Sequence, residues 1–200
     1  MLKLLGRQTS GNVQKVLFLL EEAAIPYARE DYGRQFGNTQ TAEYKAMNPN
    51  AKVPTLVDGD VMIWESNTIL RYLAAKHAPA LHGADAAERT QVERWMDWLL
   101  ASLNTPYLAM FRDAKKPAEE RAADFAAQLA DMVALLGLLN AHLAGKNFVA
   151  LGRLTLADIA LAPIVARCLA FPVERPALPE LERWAAAMAA RPAFAKATKG

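Results

Sequence analysis

An α/β N-terminal domain followed by an all-α C-terminal domain is the fold class this sequence predicts. Three observations predict it. Strand-like and helix-like stretches alternate over residues 1–78 in the order βαβ-α-ββα. Residues 79–85, PALHGAD, form a linker by composition. From residue 86 to residue 200 no stretch of strand character remains. The predicted domains are therefore 1–78 and 86–200, with 79–85 between them.

The first domain begins with Leu2 to Leu5, a short apolar run that reads as a buried strand. Residues 9–12 form a polar, Gly-containing loop. Val13, Val16, Leu17 and Leu20 then recur at i, i+3, i+4 and i+7, the period of an amphipathic helix. Pro26 stops that helix, and residues 27–32 read as a second strand. A helix between two strands implies a crossover and parallel pairing. A polar loop, 33–40, leads to a short helix at 42–47, which Asn48-Pro49 ends. Residues 53–66, VPTLVDGDVMIWES, read as two strands around an Asp58-Gly59 turn. A helix from 66 to 77 carries Ile69, Leu70 and Leu73 on its apolar face.

The second domain reads as helices throughout. Residues 88–110 form a long helix with a bend at Pro106. Pro117 starts the next, with Glu119 and Glu120 in its first turn, and it runs to about Leu143. Thr155 and Asp158 form a capping box for a helix at 155–169, with Leu154 and Ile159 as its hydrophobic staple. Pro163 kinks it. Asp158 is thus structural rather than catalytic. Residues 178–189 and a short terminal helix complete the chain.

Composition narrows the function classes. Hydrophobic residues make up 53% of the 200, much of it alanine, as in a soluble helix-rich protein. No apolar run approaches the length of a membrane span; 132–139 is among the longest. The residues after Leu5 turn polar, unlike a signal peptide. The single cysteine, Cys168, rules out an intrachain disulfide and points to a reducing, cytoplasmic compartment. A net charge of +2 with interspersed signs gives no nucleic-acid footprint, and Lys115-Lys116 is too small to make one. His77, His82 and His142 lack metal-ligand spacing, so no metal is expected.

The 53–66 stretch carries the chemistry. Proline cannot donate to a ladder, so Pro54 belongs at a strand start or edge. A residue beside it keeps its N–H and C=O for a peptide-like ligand, in the manner of strand addition. Glu65-Ser66 closes the second strand and opens a helix. The Glu65 carboxylate suits an ammonium, and Ser66 with the helix amides suits a carboxylate. A ligand with a peptide backbone and a free amino-acid head is glutathione. Taken alone, the stretch is also an ordinary hairpin followed by a capped helix.

Ser10-Gly11-Asn12, Val53-Pro54, Glu65-Ser66-Asn67 and Thr155-Leu156-Ala157-Asp158 occur in an order and spacing that resemble the cytosolic glutathione S-transferase superfamily over the whole chain. The resemblance implies a thioredoxin-like N-terminal domain and an all-α C-terminal domain. It implies that Pro54 is cis, that Val53 pairs with the cysteinyl backbone of glutathione, and that Glu65 and Ser66 bind its γ-glutamyl end. Lys52 would meet the glycyl carboxylate or a nearby charge, and Gln40 likewise. It also implies a homodimer, in which Asp97 reaches a glutathione ammonium across the interface. Two departures are visible. Leu151 and Gly152 stand where the family places a glycine and an aspartate, and the Ser–Cys–Trp pattern of the maleylacetoacetate-isomerase branch is absent around Ser10.

Members of this superfamily activate the thiol with Tyr, Ser or Cys near the first helix. Residues 6–12, GRQTSGN, hold neither Tyr nor Cys. The pattern looks like the bacterial, theta-like Ser/Asn type. Ser10 is the first candidate donor, Asn12 the second, and Thr9 a substitute. The implied activity is addition of glutathione to small hydrophobic electrophiles, with glutathione peroxidase activity as a further expectation. Tyr107, Phe111 and Arg112 are the candidate electrophile wall. The alternative is a glutathione-binding interaction or regulatory module with little turnover, since a fold does not settle a function.

Overall fold

Four short strands, β1 (Leu2–Leu5), β2 (Tyr27–Glu30), β3 (Thr55–Asp58) and β4 (Val61–Trp64), pair in the order β2-β1-β3-β4. These positions come from a computed structural model that describes residues 1–199. β1 and β2 are parallel, Leu2 beside Tyr27 and Leu5 beside Glu30. β3 is antiparallel to both β1 and β4. The expected crossover is present: helix α1 (Gly11–Glu22) joins β1 to β2. β2 ends two residues before the predicted limit. Arg29 turns to pair with Asp31, and Tyr32 leaves the sheet to stack on Tyr44, ring centroids 5.1 Å apart.

The chain divides into two units. The first takes residues 1–84 together with the terminal segment from Ala189. Its core is built on α1, whose residues from Val13 to Leu20 are all buried, a wider stripe than one amphipathic face. Helix α2 (Ala42–Met47) is capped by Thr41, whose hydroxyl accepts from the Tyr44 N–H at 3.2 Å. Helix α3 (Ser66–His77) buries Ile69, Leu70 and Leu73, the face the spacing predicts. The terminal helix (Pro192–Thr198), which the sequence placed in the helical domain, packs on α1 instead. Its short apolar face explains this. Phe194 meets Phe18 edge to face at 5.3 Å, Arg191 pairs with Glu22, and Lys196 pairs with Glu21 at 2.7 Å.

The second unit, Asp85–Met188, is helical. Helix α4 (Ala86–Trp98) starts at Asp85, whose carboxylate accepts from the Glu88 N–H at 2.9 Å. The predicted single helix over 88–110 is instead interrupted. A π-helical turn, Leu99–Leu103, separates α4 from α5 (Asn104–Asp113). Pro106 lies in the first turn of α5, and its missing N–H suits a wider turn just before it. The next helix does not begin at Pro117. A short 3-10 turn, Ala118–Glu120, is followed by α6 (Phe125–His142). Asp113 holds the intervening loop: its carboxylate takes Lys116 at 2.8 Å and the Ala122 N–H at 3.4 Å. Among the described residues α6 alone is long and apolar enough to cross a membrane by length and composition, contrary to the reading that no run comes close. Its alanines and leucines account for that, and Gln128, Asp131 and Asn140 interrupt it.

Helix α7 (Leu156–Leu169) and helix α8 (Pro179–Ala189) close this core around Asp158. The buried Asp158 carboxylate accepts from the N–H groups of Thr155 and Val149 and from Trp184 Nε1, at 3.0, 2.9 and 3.0 Å. Burial raises its pKa above the usual carboxylate range, against these donors. Pro163 lies inside α7 as predicted.

Candidate active site

Apart from Asp97, which lies in the second unit, the residues predicted to bind glutathione lie in the first unit, and the segment at Val53, just before the inner strand β3, is heavily braced. The Val53-Pro54 peptide is cis, as the resemblance implied. β3 begins at Thr55, so Val53 stands just before the ladder. Among the described residues, its N–H and C=O take part in no backbone hydrogen bond. Its side chain rests on two glycines. A Cβ at Gly6 would lie 3.4 Å from Val53 Cβ and 2.5 Å from Val13 Cγ2. A Cβ at Gly33, where φ is +86°, would lie 3.3 Å from Val53 Cγ1. A larger residue at Gly6 would press first on Val13, and one at Gly33 on Arg7 Nη1, 3.0 Å away, with Val53 next in each case.

A closed polar network holds the segment behind it. The Lys52 carbonyl accepts from Tyr44 Oη at 2.7 Å and from Asn48 Nδ2 at 2.8 Å. Thr55 Oγ1 lies 2.9 Å from Tyr44 Oη and accepts from Asn48 Nδ2 at 3.1 Å. One consistent set of donors satisfies every group, with Thr55 donating to Tyr44. Desolvation raises the Tyr44 pKa, so it remains a phenol and a donor. Both lone pairs of the Lys52 carbonyl are thereby used, which fixes the backbone next to Val53. The sequence reading missed this network. In the sequence Asn48 reads as a helix stop, and no local pattern marks Tyr44.

Glu65 precedes α3 with φ 68° and ψ 116° and is exposed. A non-glycine residue in this region carries a cost of roughly 1–3 kcal/mol, of the kind found at functional sites. Its side chain does not cap the helix. Ser66, the first residue of α3, is buried, and its hydroxyl donates to Asn12 Oδ1 at 3.3 Å. This brings the start of α1 and the start of α3 together, with two predicted site residues in contact.

Ser10 is the residue before α1, with extended backbone. Its hydroxyl makes no capping bond to the helix. The backbone carbonyl of Ser10 accepts the Gln14 N–H at 2.9 Å, so the chain is held while the side chain makes no hydrogen bond among the described residues. Asn12 is exposed, with its oxygen taken by Ser66 and its amide hydrogens remaining. Gln40 and Lys52 have exposed side chains; Gln40 ends a 3-10 turn, Asn38–Gln40, and Lys52 acts through its carbonyl.

The predicted electrophile residues belong to the second unit. Tyr107 is buried, with its ring 6.1 Å from those of Phe111 and Phe171. Phe111 is 39% exposed, an unusual position for a phenylalanine. Arg112 is occupied: its guanidinium bonds Asp113 at 2.7 and 2.8 Å. The bonds from Arg112 and Lys116 hold the Asp113 carboxyl well below the usual range.

One group near this site escaped the sequence reading. Lys15, on α1, is 1% exposed, and among the described residues it forms no ion pair. Burial lowers its pKa from 10.5 to about 7, and the Glu65 carboxylate opposes that shift. The signal was present: the run VLFLL from Val16 to Leu20 is apolar all round, as in a helix buried on every side.

Sheet order, the cis peptide before β3 and the following helical unit define a thioredoxin-like α/β class with an all-α partner unit. The family models for the glutathione S-transferase N-terminal and C-terminal domains match residues 1–75 and 103–192. Glutathione S-transferase GstB of Escherichia coli is 37% identical, over 98% of this chain and 97% of that protein. Glutathione S-transferase 4 of Zea mays is 31% identical, over 97% and 90%. The theta class glutathione S-transferase of Xanthomonas axonopodis pv. citri, solved with glutathione bound, superposes with a TM-score of 0.93. It is 39% identical, and the match covers 100% of this chain and 97% of that one. The chain belongs to the glutathione S-transferase family.

Proposed function

We propose that this protein is a glutathione transferase that holds glutathione on Val53, Glu65 and Ser66, lowers the pKa of its thiol, and delivers the thiolate to small hydrophobic electrophiles. The hydrogen bond between Ser66 and Asn12 carries this reading. It ties the segment suited to the γ-glutamyl group to the segment that holds Ser10. The Val53 N–H and C=O pair with the cysteinyl backbone, the Glu65 carboxylate takes the ammonium, and Ser66 with the first α3 amides takes the carboxylate. Lys52 and Gln40 serve the glycyl carboxylate from exposed positions.

A thiol is a weak nucleophile and its thiolate a good one. Moving the bound thiol from about 8.5 to about 6.5 is two units, or roughly 2.7 kcal/mol. One hydrogen bond to a charged group supplies about 1.5–3 kcal/mol. A Ser10 O–H donated to the sulfur is therefore adequate in size, with help from the α1 amides and dipole. Ser10 donates and stays protonated. The Asn12 amide is the second donor in reach of the same helix start. Among the residues of the second unit, the exposed ring of Phe111 beside Tyr107 is suited to an apolar electrophile. The thiolate forms a sulfur–carbon bond; in a substitution the leaving group departs with its bonding pair, and in a conjugate addition the π pair moves onto the electron-withdrawing group and is protonated from solvent, after which the conjugate departs. The same thiolate suits hydroperoxide reduction.

Val61, Met62 and Trp64 leave β4 with an apolar, solvent-facing edge, 48, 45 and 37% exposed. Such an edge calls for cover, which supports a homodimer. A single buried cysteine is consistent with a cytoplasmic setting. The test is turnover of an aryl halide with glutathione. Ser10→Ala is expected to lower kcat by about tenfold or more, with little change in glutathione binding. Unchanged turnover in Ser10→Ala with collapse in Asn12→Ala would make Asn12 the donor.

A further inference from the structure

We propose that Gln8 is a positioning residue for Ser10: it fastens the turn before α1 to the last turn of the terminal helix and so fixes where the Ser10 hydroxyl meets the glutathione sulfur. This rests on the assignment of Ser10 as thiol donor made above. Residues 7–10 form a tight turn, closed by the Ser10 N–H, which donates to the Arg7 carbonyl at 3.2 Å. Gln8 and Thr9 are its two central residues. The entry to the turn is held from β2 and the residues after it. There the N–H groups of Gly6 and Arg7 donate to the carbonyls of Glu30 and Tyr32 at 2.9 and 3.1 Å. The exit is held by α1, through the Gln14 N–H on the Ser10 carbonyl. The tip is held by a side chain. The half-buried Gln8 donates from Nε2 to the Lys196 carbonyl at 3.1 Å and to that of Ala197 at 3.5 Å.

The acceptors suit this bond. Lys196 and Ala197 lie in the last turn of the terminal helix, where carbonyls outrun the helix's own N–H groups. The Lys199 N–H takes the carbonyl of Ala195, one residue earlier. The seat of the terminal helix is fixed in turn, by Phe194 on Phe18 and by the pairs Arg191–Glu22 and Lys196–Glu21. A closed path therefore runs from Ser10 along α1, across to the terminal helix, and back through Gln8 to the turn. All of it lies in the first unit. The Ser10 hydroxyl makes no capping bond to α1, so its position is set by the backbone that carries it. A hydrogen bond weakens steeply as its angle and distance degrade. A loosened turn thus weakens donation to the sulfur and leaves Val53, Glu65 and Ser66, the residues assigned to the rest of the ligand, in place.

The test is a pH titration of the bound glutathione thiolate by ultraviolet difference, with turnover of an aryl halide on the same preparations. The variants are Gln8→Met, Gln8→Ala, Ser10→Ala, and Gln8→Met combined with Ser10→Ala. Gln8→Met keeps the length of the side chain and loses the donor; Gln8→Ala removes both, and neither adds a charge. Each is expected to raise the bound thiol pKa by about one unit, half of the roughly two-unit shift assigned to Ser10. Each should lower kcat at neutral pH by about threefold to tenfold and leave the Kd for glutathione within about twofold. In the Ser10→Ala background, Gln8→Met should move the thiol pKa no further, because its effect passes through that hydroxyl. A thiol pKa unchanged in both Gln8 variants overturns the role, even where their melting temperatures fall, since a residue that only ties down the terminal helix behaves in that way. A Gln8→Met shift that persists in full without the Ser10 hydroxyl overturns it as well. A thiol pKa that Ser10→Ala leaves unchanged overturns the Ser10 assignment itself. Should one Gln8 variant not fold, the other is read in the same way.

Discussion

The Ser66 hydroxyl donates to Asn12 Oδ1 across 3.3 Å, joining the first turns of α1 and α3. The bond is long, and a carboxylate at the α3 N-terminus would draw the same proton away from it. Ser66→Ala removes a hydrogen bond to a charged group, offset in part by the lost bond to Asn12. It is expected to raise KM for glutathione about tenfold while leaving kcat within about threefold. Steady-state kinetics at saturating electrophile separates the two.

Lys15 makes a stability prediction that is independent of any ligand. Its pKa falls from 10.5 to about 7 on folding, mainly through burial. The unfolded chain then binds more protons between those values, so stability rises with pH across that window. The cost is full below about 7 and is gone near 10.5. Lys15→Met keeps the volume and removes the charge. It is expected to stabilise the protein at neutral pH, by up to about 5 kcal/mol at ~1.36 kcal/mol per unit. Denaturant titrations at several pH values should show the wild type catching up with the variant as pH rises.

Tyr44→Phe tests the bracing of Val53. It removes the phenol that donates to Lys52 O and leaves Thr55 Oγ1 short of a partner. A loss of about 1–3 kcal/mol in stability is expected. If the network sets the Val53 segment, KM for glutathione rises as well. Unfolding curves and kinetics on the same preparation check both outcomes.

Leu151 holds φ at 56° directly before Gly152 at 65°. Two left-handed residues in succession suit glycine at both positions. Leu151→Gly is expected to raise the melting temperature by a few degrees, about 1 kcal/mol, with turnover per molecule unchanged. Calorimetry checks this.

Much of the fold was legible because its signals are local. The Asp58-Gly59 turn, the Thr155–Asp158 box and the α3 face each depend on neighbours within a few residues. The start of α6 was not legible at Pro117, because Asp113 and its hydrogen bond to Ala122 N–H decide the loop. Nor was the break at Leu99–Leu103 in the sequence as a residue type; Pro106 lies beyond it, in the first turn of the next helix. At the site, Val53, Glu65 and Ser66 could be read from strand and cap chemistry. The Tyr44–Asn48–Thr55 network could not, since it joins α2, a loop and β3 through side chains. Lys15 differs: lysine is almost always solvated, and only the apolar run that follows it, VLFLL, marks its burial.

The terminal helix shows the same limit. Phe194 and Ala197 are spaced for a helix, but nothing in residues 192–198 says which helix they cover. The seat of Phe194 on Phe18 makes that choice, with the pairs Arg191–Glu22 and Lys196–Glu21 beside it, and their partners lie at the other end of the sequence.

The most direct test of the central claim is ultraviolet difference spectroscopy of the thiolate as glutathione is titrated with pH on wild type and Ser10→Ala. The account predicts a bound thiol titrating about two units below free glutathione in wild type and moving back toward the free value in Ser10→Ala, with binding retained. A bound thiol that titrates like the free one in wild type would contradict it.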